Sequence, residues 1–94
     1  MIGPQSRLRR NPQVVARELT EGEGGVLLHL ESGGYHGVNP VGLLIWELLE
    51  EERTTADLVD AIRDRVEDPP PELERDIMDF LAGVQERDLL IVVE

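Results

Sequence analysis

The chain reads as a small α+β domain of winged helix-turn-helix type, with an N-terminal three-stranded antiparallel sheet followed by three helices. Two β-prone runs flank a Gly-rich turn, and three apolar stripes at helical spacing follow them. Between the two halves stands Tyr35-His36-Gly37-Val38-Asn39-Pro40, where a short strand runs directly into a capped helix. Sheet first and helices after is the order of a small winged arrangement with its sheet at the N-terminal end.

Residues 1–12 mix Gly, Pro, Gln, Ser and Arg without periodicity, which predicts a mobile basic tail and leaves 13–94 as a single domain. Residues 14–19 and 25–30 are rich in β-branched and aliphatic side chains, and Thr20-Glu21-Gly22-Glu23-Gly24 between them supplies hairpin turn chemistry. Alternation along the second run puts Val26, Leu28 and Leu30 on one face, the expected core face, and Leu27, His29 and Glu31 on the other. A second turn at Glu31-Ser32-Gly33-Gly34 leads to the third strand, Tyr35 to Val38, which is the edge of the meander.

Asn39 can accept a hydrogen bond from the first free helical N–H groups, and Pro40 suits the next position because its φ is fixed and its missing donor is not needed. The helix expected over residues 40–51 has Val41, Leu44, Ile45, Leu48 and Leu49 at helical spacing, with Leu43 and Trp46 widening the stripe. Thr54 with Asp57 forms an acidic variant of the capping box, and Leu58, Val59, Ile62 and Val66 make the buried face of a second helix. Asp68-Pro69-Pro70-Pro71 stops it and starts the third, over residues 72–87, with Leu73, Ile77, Phe80, Leu81 and Val84 on one face. Glu72, Glu74, Asp76 and Asp79 crowd its early turns, where they favour the positive end of the helix dipole. Residues 89–93 are a closing β-prone run, either a last strand or a segment docked on the core.

A length of 94 residues and 40% hydrophobic content allow one domain with a small aliphatic core. There is no cysteine, so disulfides and thiolate chemistry are excluded. No apolar run approaches the roughly 20 residues that span a bilayer, and no signal-type stretch opens the chain, so the expected location is the cytoplasm. Residues 1–17 hold four Arg and no acid, a charge of +4, whereas the remainder sets five Arg against all twenty Asp and Glu, a charge of −15. A body that acidic repels phosphate backbones and favours peptides, proteins or cations as partners.

Catalytic chemistry finds no support. The two histidines, His29 and His36, lie on different strands and are not spaced as metal ligands, so neither metal nor cofactor is expected. Gly22-Glu23-Gly24-Gly25 lacks the Lys and the helix start of a phosphate loop, and Ser6 and Ser32 have no base placed beside them. A winged-helix transcription regulator would set a basic third helix in the major groove, but here that helix carries five acids against Arg75 and Arg87. What remains is capture of an extended peptide at the exposed edge Tyr35 to Val38, where Gly37 permits close backbone approach. The alternative is an edge kept short to prevent aggregation.

The body resembles the PqqD-like family of precursor peptide recognition elements. The resemblance rests on Val26 to Gly42 with its Tyr35-His36-Gly37-Val38-Asn39 centre, on Ile45-Trp46-Glu47-Leu48-Leu49, on Arg53-Thr54 before Leu58, and on Glu72-Leu73-Glu74-Arg75-Asp76 to Phe80-Leu81. His29 stands where the family often has an acid, and His36 where an aromatic is common. The resemblance implies a non-catalytic protein that binds the leader segment of a ribosomally made precursor peptide (a RiPP precursor) as an added strand, in a groove walled by the third helix. By position, it implies Tyr35, His36, Gly37 and Val38 for strand pairing and Leu73, Asp76, Ile77, Asp79 and Phe80 for the wall, with Leu73, Ile77 and Phe80 equally suited to the core. It further implies a leader peptidase and a cyclase as partners, as with the stand-alone proteins of lasso peptide clusters. The other reading it leaves open is a PQQ-type chaperone serving a radical SAM enzyme.

Overall fold

The computed structural model describes residues 2–3, 5–20 and 22–93. Met1 and Pro4 of the predicted tail, Glu21 of the predicted turn and the terminal Glu94 lie outside the described residues. The chain runs β1 (Arg7–Arg10), β2 (Val14–Glu18), β3 (Gly25–His29), β4 (Tyr35–Val38), α1 (Pro40–Leu48), β5 (Arg53–Thr54), α2 (Thr55–Arg65), α3 (Leu73–Glu86) and β6 (Leu90–Val93). The expected antiparallel meander is present as the sheet β2-β3-β4, and the three expected helices follow it. A second sheet, β5-β1-β6, stands beside them.

That second sheet overturns the reading of the first twelve residues as a tail. β1 pairs antiparallel with β6 from Arg7↔Val93 to Arg10↔Leu90, and with β5 through Leu8↔Arg53. Arg-Leu-Arg-Arg offers only one apolar side chain, so no alternation shows, yet Leu8 is fully buried while Arg7 and Arg9 face out. The same pairing decides the closing run in favour of a strand.

The expected core face of the second meander strand is also reversed. Gly25, Leu27 and His29 are buried, Val26 and Leu28 are only half-buried, and Leu30 is exposed. Apolar side chains occupy both faces of this strand, so alternation alone could not choose between them. Gly25 suits this face: a Cβ there would lie 2.7 Å from Arg17 O and 3.1 Å from Leu43 Cδ1, so the missing side chain lets both β2 and α1 approach.

Asn39 caps α1 as expected, its Oδ1 accepting from Gly42 N–H at 2.7 Å, with Pro40 in the first turn. The buried face of α1 is centred on Leu43, Ile45 and Trp46, while Val41, expected in the stripe, is exposed. The Arg10 guanidinium lies 5.2 Å from the Trp46 ring centroid and donates to Trp46 O from Nε and Nη2 at 2.8 and 2.6 Å, tying β1 to α1. The capping box of α2 is complete: Thr54 Oγ1 accepts from Asp57 N–H at 3.1 Å, and Asp57 Oδ2 from Thr54 N–H at 3.2 Å. The core gathers Leu8, Leu27, Ile45, Leu58, Ile62, Ile77 and Leu81 from both sheets and all three helices.

Candidate functional site

Among the described residues β4 pairs with β3 alone, which leaves its second edge open. His29 N–H donates to Gly34 O at 2.8 Å in the register that also sets Leu27↔His36 and Gly25↔Val38. In an antiparallel ladder, hydrogen-bonded and non-bonded pairs alternate. His36 and Val38 therefore turn their backbone groups inward to β3, and Tyr35 and Gly37 direct theirs to the open edge. Of the four residues expected to pair there, two offer backbone and two place side chains on the inner face.

The strand end is held from three sides. Gly24, at φ +85°, lies beneath it so closely that a Cβ would meet Val38 O at 2.1 Å, which bars any side chain there. Asn39 anchors the next residues as the helix cap. Gly42, one turn into α1, leaves room for Phe80: a Cβ would sit 2.8 Å from Phe80 Cε1 and 3.2 Å from Val38 Cβ. Two absent side chains thus let β4, α1 and α3 converge.

At this convergence lies an apolar cavity of about 400 Å3, lined from α3 by Leu73, Asp76, Ile77, Asp79 and Phe80. These are the five wall residues expected from the resemblance. Leu73 and Ile77 are buried and form the floor as part of the core, whereas Phe80 is half-buried and Asp76 and Asp79 are exposed on the rim. Asn39, Val41, Gly42 and Ile45 of the α1 start, and Val66 and Pro70 of the α2–α3 connection, complete the lining. Sequence reasoning had assigned Val41 to the core; the signal that could have redirected it is Gly42, a helix-interior glycine whose role is close approach.

Glu74 pairs with Arg63 at 3.9 Å, but neither Asp76 nor Asp79 has an ion-pair partner among the described residues. The rim of the cavity is therefore negative and its floor apolar. At the other end of β4 a smaller cleft of about 150 Å3 is lined by His29, Ser32, Gly34, Tyr35, His36, Arg87 and Leu89. His29 is buried there, with Nε2 3.4 Å from Asp88 Oδ2.

An open strand edge beside an apolar groove with charged rims defines a small peptide-binding scaffold. The family model described as coenzyme PQQ synthesis protein D (PqqD) matches residues 24–90, and the chain belongs to that family. Among solved structures it is similar to TbiB1 in complex with the TbiA(beta) leader peptide, at 38% identity and TM-score 0.73 over 87% of this chain and 93% of that one. It is also similar to a lasso peptide synthetase B1 complexed with its leader peptide, at 26% identity and TM-score 0.69 over 89% and 96% of the two chains. The PqqD truncation of Methylobacterium extorquens PqqCD, a stand-alone RiPP recognition element, shares the fold at 19% identity, with TM-score 0.78 over 97% and 95%. No curated protein matches the chain significantly.

Proposed function

We propose that this protein binds the leader segment of a ribosomally synthesised precursor peptide by strand addition to the open edge of β4. It catalyses no step itself and delivers the leader to a leader peptidase or other modifying enzyme in lasso peptide biosynthesis. The observation that carries this reading is the pair of outward-facing backbone units at Tyr35 and Gly37, on the strand that leads through Asn39 into the cavity lined by Phe80. Backbone pairing supplies affinity, and the cavity takes an alternate side chain that supplies selectivity. The two leader-bound structures above favour a lasso pathway over a quinone-cofactor one, since their identities of 38% and 26% exceed the 19% of the PqqD truncation.

Five or six paired residues with two or three anchored side chains correspond to micromolar to submicromolar affinity, about −8 to −9 kcal/mol. Fluorescence anisotropy with labelled TbiA(beta) leader peptide tests this. Gly37→Pro removes the outward donor without touching a bond to β3, and a Cβ at Gly37 has nothing within 4 Å, so the variant is expected to fold and to lose binding. A folded variant that binds undiminished would place the site elsewhere.

A further inference from the structure

The charges along the groove are ordered, and they deepen the leader-docking reading on which this inference rests. Asp76, Phe80, Gly83 and Arg87 recur at i, i+4, i+7 and i+11, which is one face of α3. Its N-terminal part borders the cavity at Asn39, and Arg87, capping its C-terminal end, borders the cleft at Tyr35 and His36, so the two ends of α3 lie towards the two ends of β4. Midway, Gly83 keeps the wall low: a Cβ there would meet only the Arg87 guanidinium, at 3.7 Å. Arg87 folds back along this face, Nη1 donating to Gly83 O at 3.2 Å, and has no carboxylate partner among the described residues. Asp88, the next residue, faces His29 Nε2 at 3.4 Å. One end of the groove is thus anionic, at Asp76 and Asp79, and the other cationic, at Arg87, with an apolar cavity at the anionic end.

We propose that this polarity selects and orients the occupant: an extended segment, antiparallel to β4, with a basic side chain beside its apolar anchor at the Asn39 end and an acidic side chain four to six residues later at the Tyr35 end. The spacing follows from the roughly 3.4 Å rise per residue of a strand laid along β4 and its flanks. Antiparallel addition places the basic residue first in the occupant, because β4 itself runs from Tyr35 towards Asn39. Exposed charges of this kind set register and encounter more than affinity. The net charge of −11 for the whole chain adds long-range attraction for the basic end.

The test is selection of a random 12-residue peptide display library on the wild-type protein, with every selected peptide rechecked on Gly37→Pro. Peptides that need Gly37 are expected to carry Lys or Arg ahead of an apolar residue and Asp or Glu behind it. Both the Asp76→Lys, Asp79→Lys double variant and the Arg87→Glu variant, confirmed folded by circular dichroism, are expected to bind these peptides about tenfold more weakly at 50 mM salt, with the gap closing to under about threefold at 500 mM. Gly37-dependent peptides without the basic-before-acidic order, or with affinities that charge reversal leaves unchanged, overturn the polarity while leaving strand addition standing. Selection of no Gly37-dependent peptide overturns strand addition itself.

Discussion

Thr55 opens α2 from the interior, 1% exposed, and its Oγ1 has no hydrogen-bond partner among the described residues. A buried hydroxyl without a partner forfeits about 1–3 kcal/mol of hydration that nothing replaces. Valine has nearly the same shape and no polar atom, and the capping box at Thr54 and Asp57 does not depend on residue 55. Thr55→Val is expected to stabilise the fold by up to about 1 kcal/mol, since removal of an unsatisfied group is close to neutral or favourable. Thermal unfolding of the two proteins side by side checks it. A lower melting temperature in the variant would mean that the hydroxyl has a partner and a structural role.

At the scale of elements, the β4–α1 joint depends on the absence of side chains as much as on their presence. Gly42→Ala gains about 1 kcal/mol of helix propensity but loses about 1–3 kcal/mol by overpacking against Phe80. The net cost is therefore about 0–2 kcal/mol, less than the loss expected from a core truncation, and the larger effect falls on the groove. The Phe80 ring, which lines the cavity, must shift, so binding of a peptide that depends on Gly37 is expected to weaken about tenfold, or 1.4 kcal/mol, in a protein that still folds. Unchanged affinity would show that the cavity under Phe80 takes no part. This joint and the start of α2 were legible in the sequence because Asn39-Pro40 and Thr54-x-x-Asp57 act locally, through bonds to their own helix starts. The face of β3 was not legible, since Leu27 and Leu28 are equally apolar and only the folded chain brings Gly25 against Arg17 O and Leu43, the latter eighteen residues away in sequence. The wall residues were named from family likeness, and their division into a buried floor of Leu73 and Ile77 and an exposed rim of Asp76 and Asp79 follows only from how α3 is rotated against α1.

For the molecule as a whole, the segment before Val14 is the clasp. β1 lies between β5 and β6, Ser6 O accepts from Thr55 N–H at the start of α2, and Arg10 grips Trp46 O on α1. Asn11 Nδ2 donates to Asp88 O at 2.7 Å, just past the end of α3. Every helix that walls the groove is therefore tied to these few residues, although their composition is that of a solvated tail. Leu8 is fully enclosed, so Leu8→Ala leaves a cavity and is expected to cost about 2–5 kcal/mol. At about 4–8 °C per kcal/mol for a domain of this size, that lowers the melting temperature by about 8–40 °C. Removal of residues 1–10 also deletes the β1 ladder and exposes the edges of β5 and β6, so its effect must exceed that of Leu8→Ala, and the truncated chain is expected to be largely unfolded at 37 °C. Circular dichroism melts of both variants decide the matter: a truncated protein that melts with the full-length one would make the segment a tail after all, and would remove the clasp from any account of how the groove is held.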